Sequence, residues 1–418
     1  MRFTVFLLFC SCAFGAAEFA SGTLTMGATT GNVSVTSLSF TPKGALFIWN
    51  GQATQNTTGT GANFGMGAAV STSNRGAWHH RRLLASSSVF GRHTGAGCMV
   101  QMSTGNVIDF AVDFVSWNSN GFTVNVGTSP GVDFFVQWYV WGGTDVEVGL
   151  LQFNSDVSTG TEVYTGMGFK PDALIIFSLG MTATIPTSDG NSRPGIGFVS
   201  HDDDGTIRQA GFGGKQVNGA NTARRSQSAT QAIYIPDTSA MWLAGGVDSL
   251  DADGFTVNYT TVQASTVKLW ALGIRGIRAY VGAVDQNVTP TTGNQAVTAV
   301  GYTPSMLMMG SFCAATVSGQ QNDESISLGG ATSAAQATNS MTTVSGGNNN
   351  GLANYATKLQ TCLLGGTPTI QSQATFVSFD TTGFTFNNTT VDATSRALLY
   401  MAMAPQRKRV IQISKNIN

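Results

Sequence analysis

Four histidines, His79, His80, His93 and His201, are the first places to look for chemistry in this chain. A serine triad or a zinc centre needs histidine brought to one point with carboxylates or cysteines. The run His79-His80-Arg81-Arg82 has no acidic residue between Phe19 and Ile108. An orienting carboxylate would have to come from elsewhere, so the run is expected to be a solvated basic loop, with Arg81 and Arg82 offered to a partner. His201-Asp202-Asp203-Asp204-Gly205 could hold calcium, but an EF-hand loop needs ligands at alternate positions and a closing Glu. Asp and Gly are turn formers, and a hairpin turn is the expected structure. Gly211-Phe212-Gly213-Gly214-Lys215 lacks the strand–loop–helix setting and the Gly-Lys-Ser/Thr ending of a phosphate loop. The cysteines at 10, 12, 98, 313 and 362 have neither disulfide-framework nor zinc spacing. Cys313 and Cys362 could pair, though buried free thiols are the expectation. No catalytic residue, cofactor or metal ligand is assigned, and the chain is expected not to be an enzyme.

Any such residues must be carried by β-structure. Only 10% of the 418 residues are charged, against about 25% in ordinary soluble domains. The 25 Phe, 8 Tyr and 7 Trp argue for packed cores, because disordered chains are usually poor in aromatics and rich in charge. Abundant Gly, Thr and Val suit short strands and tight turns. No long 3.6-residue period occurs, so helix should be scarce. The formal net charge is −1, which gives no overall field to recruit nucleic acid.

Three landmarks recur in one order. The first is an aromatic residue, one residue, Pro and an apolar strand: Phe40-Thr41-Pro42, Phe169-Lys170-Pro171 and Tyr302-Thr303-Pro304. The second is a hairpin closing on Asn120-Gly121-Phe122-Thr123, Asp253-Gly254-Phe255-Thr256 and Thr382-Gly383-Phe384-Thr385. A polar turn ending in Gly between alternating strands is a strong hairpin signal, and Gly supplies the positive φ such a turn needs. The third is an apolar closing strand: Val136 to Gly143, Val267 to Gly273, and Ala397 to Met403. Pro42, Pro171 and Pro304 are 129 and 133 residues apart, and Gly121, Gly254 and Gly383 are 133 and 129 apart. Two independent landmarks thus give one period. It is too long for a solenoid unit and long enough for a self-contained sandwich. The expected fold is all-β: three tandem antiparallel β-sandwich or jelly-roll-like domains at residues 18–144, 145–276 and 277–404. Stretches of variable sequence between the first and second landmarks should form the recognition loops.

Two terminal segments remain. Residues 1–17 read as a secretory signal or as a spare closing strand, and both readings stay open. Residues 405–418 hold Arg407, Lys408 and Arg409 followed by Val410, Ile411, Gln412 and Ile413. They read as a disordered basic tail or as an opening strand that pairs with a neighbour's sheet edge. The N-terminal apolar run is too short for a membrane-spanning helix.

At its landmarks the sequence resembles β-domain proteins common in tailed-phage genomes, through Gly168-Phe169-Lys170-Pro171-Asp172 and Asp253-Gly254-Phe255-Thr256. The first and third copies depart from it: Gly44 and Ser305 replace Asp172, and Asn120 and Thr382 replace Asp253. The resemblance implies a virion structural protein, on the capsid surface or in the tail, whose partners are other virion proteins and copies of itself. It defines no site residues. The alternative is a secreted or surface-anchored bacterial adhesin or carbohydrate-binding protein that meets a host glycan through the variable loops.

Overall fold

In a computed structural model of the chain, the structure describes residues 17–82, 88–182, 187–189, 191–202, 204–217, 222–315, 319–344, 351–364 and 369–406. The N-terminal segment up to residue 16 and the tail residues Arg407, Lys408, Arg409, Val410, Ile411 and Ile413 lie outside them. Among the described residues there are only strands, turns and loops. The first eleven strands are β1 (Glu18–Met26), β2 (Gly31–Val35), β3 (Pro42–Trp49), β4 (Thr57–Thr60), β5 (Ala62–Ala69), β6 (Arg75–Arg82), β7 (Val89–Thr94), β8 (Met99–Met102), β9 (Ile108–Asn118), β10 (Gly121–Thr128) and β11 (Phe134–Gly142). The next twelve are β12 (Glu147–Asn154), β13 (Gly160–Thr165), β14 (Ala173–Ser178), β15 (Thr187–Asp189), β16 (Asn191–Ser192), β17 (Gly195–His201), β18 (Ile207–Val217), β19 (Ala223–Ser228), β20 (Ile233–Pro236), β21 (Met241–Asp251), β22 (Gly254–Thr261) and β23 (Lys268–Arg275). The last eleven are β24 (Ile277–Asp285), β25 (Gly293–Val297), β26 (Met306–Ser311), β27 (Gln320–Asn322), β28 (Glu324–Thr332), β29 (Gln336–Thr343), β30 (Leu352–Ala356), β31 (Gln360–Leu363), β32 (Ile370–Asp380), β33 (Gly383–Thr390) and β34 (Ala397–Pro405).

They form three sandwich-like pairs of antiparallel sheets with one recurring strand order. The large sheets run β1-β11-β3-β5-β6-β7, β12-β23-β14-β17-β18-β19 and β24-β34-β26-β28-β29-β30. The small sheets run β2-β10-β9-β8, β13-β22-β21-β20 and β25-β33-β32-β31. Sandwiches 1, 2 and 3 denote these pairs in chain order.

The edges explain how the sandwiches fit together. Strand β15, from sandwich 2, pairs with β7 of sandwich 1, and β27, from sandwich 3, pairs with β19 of sandwich 2. Sandwich 1 lays β4 beside β30 of sandwich 3, where the Asn56 N–H donates to Tyr355 O at 2.8 Å and the Gly61 N–H to Gly351 O at 2.6 Å. Each sandwich therefore covers the outer edge of another, and the cycle closes. An uncovered edge would offer a row of unpaired backbone groups, and a head-to-tail contact that closes gives a ring.

Closure buries both faces of the large sheets. In β3, Ala45, Phe47 and Trp49 face their own sandwich core, whereas Leu46 and Ile48 join a core shared by all three sandwiches. In β14, Leu174 and Ile176 divide from Ile175 and Phe177 in the same way, as do Leu307 and Met309 from Met306 and Met308 in β26. Side chains still alternate with period two, but both faces are apolar, so the sequence reads as a continuous hydrophobic run.

The hairpin glycines are required for a reason other than the expected one. A Cβ on Gly121, Gly254 or Gly383 would run into the carbonyl oxygen of Val35, Tyr164 or Val297 on the neighbouring edge strand. Close backbone approach is what these three positions share, since only two of them have a markedly positive φ. Two of the cysteines also differ from the expectation of free thiols. Cys313 and Cys362 are joined in a disulfide, with Cα atoms 5.7 Å apart, which links the end of β26 in one sheet of sandwich 3 to β31 in the other. Sequence spacing could not show that the topology brings them together. Cys98 is a buried free thiol, and burial pushes its pKa far up.

Candidate interaction sites at the seams

The His79-His80-Arg81-Arg82 run is not a solvated loop. It forms the end of β6, an interior strand between β5 and β7. His79, His80 and Arg82 are buried, while Arg81 is half-buried. The missing carboxylates come from two places. Arg81 pairs at 4.0 Å with Asp109, just past the acid-free stretch, and donates to Met102 O at 2.7 Å. His80 Nε2 lies 3.2 Å from Glu324 Oε2 on β28 of sandwich 3, with both side chains fully buried. Burial lowers the Arg82 pKa, and the Glu324 charge opposes that shift. Burial and the neighbouring Arg81 and His80 charges hold His79 well below the usual histidine value. Its Nδ1 accepts from the Met102 N–H at 3.2 Å.

His80 and Arg82 belong to the seam between sandwiches 3 and 1, which is strongly polar, whereas His79 and Arg81 face the small sheet of sandwich 1. Asn50 Nδ2 donates to Asn354 O at 2.6 Å and Gln137 Nε2 to Ala337 O at 2.7 Å, while Asn339 Nδ2 donates to Gln137 Oε1 at 3.2 Å. Each seam also carries a ring contact, and at the sandwich 3–1 seam Phe135 stacks on Tyr355 with ring centres 4.7 Å apart. Trp270 meets His93 edge-on at 5.8 Å between sandwiches 2 and 1, and Phe212 meets Phe312 at 5.4 Å between sandwiches 2 and 3.

The seam between sandwiches 2 and 3 carries an open groove. A cavity of about 390 Å³ is lined by His201, Asp202, Asp204, Arg208, Arg278, Tyr280 and Tyr302, among others. A second cavity of about 350 Å³ adjoins it and shares His201, Asp202 and Asp204. Asp202 and Gly205 close the expected turn between β17 and β18, the Gly205 N–H donating to Asp202 O at 2.9 Å. Asp202 takes two bonds from Arg208 Nε at 2.7 Å, and the pair raises the Arg208 pKa. The Arg208 guanidinium lies 4.4 Å above the Tyr280 ring, and that of Arg278 lies 4.3 Å above Tyr302.

His201 binds Asp172 Oδ1 through Nε2 at 3.3 Å and Asp202 O through Nδ1 at 2.8 Å. Its pKa is raised, chiefly by the bond to Asp172, against the opposing effect of burial. Both ring nitrogens are engaged, so the imidazole offers the groove no free lone pair for base catalysis. Asp172 Oδ2 accepts from the Gly276 and Ile277 N–H groups at 2.6 and 3.2 Å, which ties down the crossing into sandwich 3. Among the described residues no cluster of three or more His, Cys, Asp or Glu could hold a metal ion, and no helix is long and apolar enough to cross a membrane.

Of the groove's aromatic and arginine residues the sequence marks only Tyr302, as a repeat landmark and not as a binding residue. A signal was present in the opening strands. Tyr280 of β24 pairs with Ala402, at a register step occupied by Gly149 in β12 and Ala20 in β1. The large ring at that step is peculiar to the third strand. No protein-family model, curated protein or solved structure matches the chain.

Proposed function

We propose that this chain is a structural and interaction protein of a phage particle, on the capsid surface or in the tail, in which one polypeptide builds a ring that three subunits could otherwise form. The observation that carries this reading is the cyclic covering of sheet edges by β15, β27 and β4. A closed cycle leaves a rigid body with variable loops displayed around it, suited to holding partners in place. The three sandwiches, at about residues 18–144, 145–276 and 277–404, act in this reading as tandem copies of one domain. The role is non-catalytic, its partners are other virion proteins and further copies of the chain, and its place is the virion. The resemblance at Gly168 to Asp172 and Asp253 to Thr256 supports that assignment. Both acids have local work: Asp172 anchors the sandwich 2–3 crossing, and Asp253 Oδ1 accepts from the Gly168 N–H at 2.6 Å.

The test is mass spectrometry and immunolabelling of purified particles from cells that express the gene. The protein should co-purify at fixed stoichiometry and label one structural element. Its absence from particles, with the protein recovered from the medium or the cell surface, would refute the proposal.

The polar groove favours one second reading, a secreted or surface protein that binds a host glycan there. Saturation-transfer NMR with a panel of oligosaccharides tests it. Binding that Arg278→Ala abolishes would support this reading, and an empty panel would remove it.

A further inference from the structure

Lys215 is a lysine with its side chain only 4% exposed. It lies on β18, where the large sheet of sandwich 2 presses on its small sheet: a Cβ on Gly213 would come within 2.9 Å of the Ile235 Cα. The Lys215 amine reaches across to the turn between β20 and β21. There Nζ touches Asp237 Oδ1 and donates to Thr238 Oγ1 at 2.6 Å. Thr238 also faces the carboxylate, its N–H donating to Asp237 Oδ1 at 2.7 Å and its hydroxyl lying 3.2 Å from the same oxygen. Amine, hydroxyl and carboxylate thus form a closed triangle.

The turn that presents the acid is fixed from several sides. Asp237 N–H donates to Ala240 O at 2.7 Å, Arg224 Nε to Thr238 O at 2.9 Å, and Gln320 Nε2 from sandwich 3 to Asp237 O. Holding two reacting groups in contact replaces an encounter with an effectively unimolecular step.

The geometry points to an intramolecular isopeptide bond between Lys215 Nζ and Asp237 Cγ, a covalent modification that cross-links the two sheets of sandwich 2. Proton transfer within the ion pair gives a neutral amine and a protonated carboxyl. The amine nitrogen attacks Cγ and the C–N bond forms. Its proton passes through the Thr238 hydroxyl to Oδ1, the Cγ–Oδ1 bond breaks, and one water leaves. The condensation needs no oxidant, reductant or co-reactant. Burial, aided by the Arg193 and Arg224 charges, lowers the Lys215 pKa to about 8, which favours the nucleophilic amine. Sandwich 3 already has a covalent tie between its sheets, through Cys313 and Cys362. The Lys215–Asp237 bond would give sandwich 2 a tie that reduction does not break.

The test is the intact mass of the full chain, denatured and reduced, together with a tryptic map. The wild type should be lighter than its sequence by the mass of one water. Trypsin should not cleave after Lys215, and one branched peptide should contain both Lys215 and Asp237. Lys215→Arg keeps the charge pair but should restore the full mass, with circular dichroism checking that the variant is folded. A wild-type chain of full mass, with Lys215 and Asp237 in separate peptides, would overturn the inference. So would a water deficit that survives in Lys215→Arg.

Discussion

Replacing Phe212 by Ala tests whether the three sandwiches fold as one body. Phe212 is fully buried in the shared core, with ring centres 5.9 Å from Phe198 in its own sandwich and 5.4 Å from Phe312 in sandwich 3. Truncating a buried Phe costs about 3–5 kcal/mol, through lost burial and the cavity left behind. Each aromatic contact of this kind adds about 0.5–1.5 kcal/mol beyond area burial, and two are lost, so a value near the upper end is expected. The assay is urea denaturation followed by two probes. Tryptophan fluorescence reports on sandwiches 1 and 2, because none of the seven Trp lies beyond residue 270. Hydrogen exchange of the β26 and β28 amides reports on sandwich 3. If the core is common, both probes should show one transition, shifted equally to lower urea with an unchanged slope. A shift confined to sandwich 2, or a loss below about 1 kcal/mol, would refute the shared-core argument.

Three further outcomes are expected. His79 is held neutral, with a folded pKa below its unfolded value, so its contribution is complete above the unfolded pKa near 6.5 and is lost as pH falls below it. Stability should drop by about 1.4 kcal/mol per pH unit from this residue, and a pH series of urea midpoints should show that component missing in His79→Gln. Reducing Cys313–Cys362, which closes a loop across a sequence separation of 49, should cost about 4 kcal/mol on the loop-entropy estimate, read as a lower midpoint in the presence of reductant. Glu324→Ala removes the carboxylate facing buried His80 and Arg82, and should cost about 3–5 kcal/mol and expose the sandwich 3–1 seam to hydrogen exchange before the other two.

The sequence alone determined what depends on neighbours along the chain. The all-β class follows from composition and the absence of a helical period. The hairpins at Gly121, Gly254 and Gly383 and the strands after Pro42, Pro171 and Pro304 carry local signals and stand where the landmarks put them, although those glycines answer to a carbonyl distant in sequence. Asp202 and Gly205 were legible as turn residues for the same reason. Only the tertiary structure decided what depends on residues distant in sequence. Polarity marked His79-His80-Arg81-Arg82 as surface, because the carboxylate that makes His80 and Arg82 tolerable inside arrives from another sandwich. The Cys313–Cys362 bond and the groove beside Tyr280 and Arg208 arise likewise where separate sheets meet. Edge covering by β4, β15 and β27 was hidden most deeply. Those strands are three or four residues long, too short to show a period, and they exist as strands because another sandwich's edge needs its backbone groups paired.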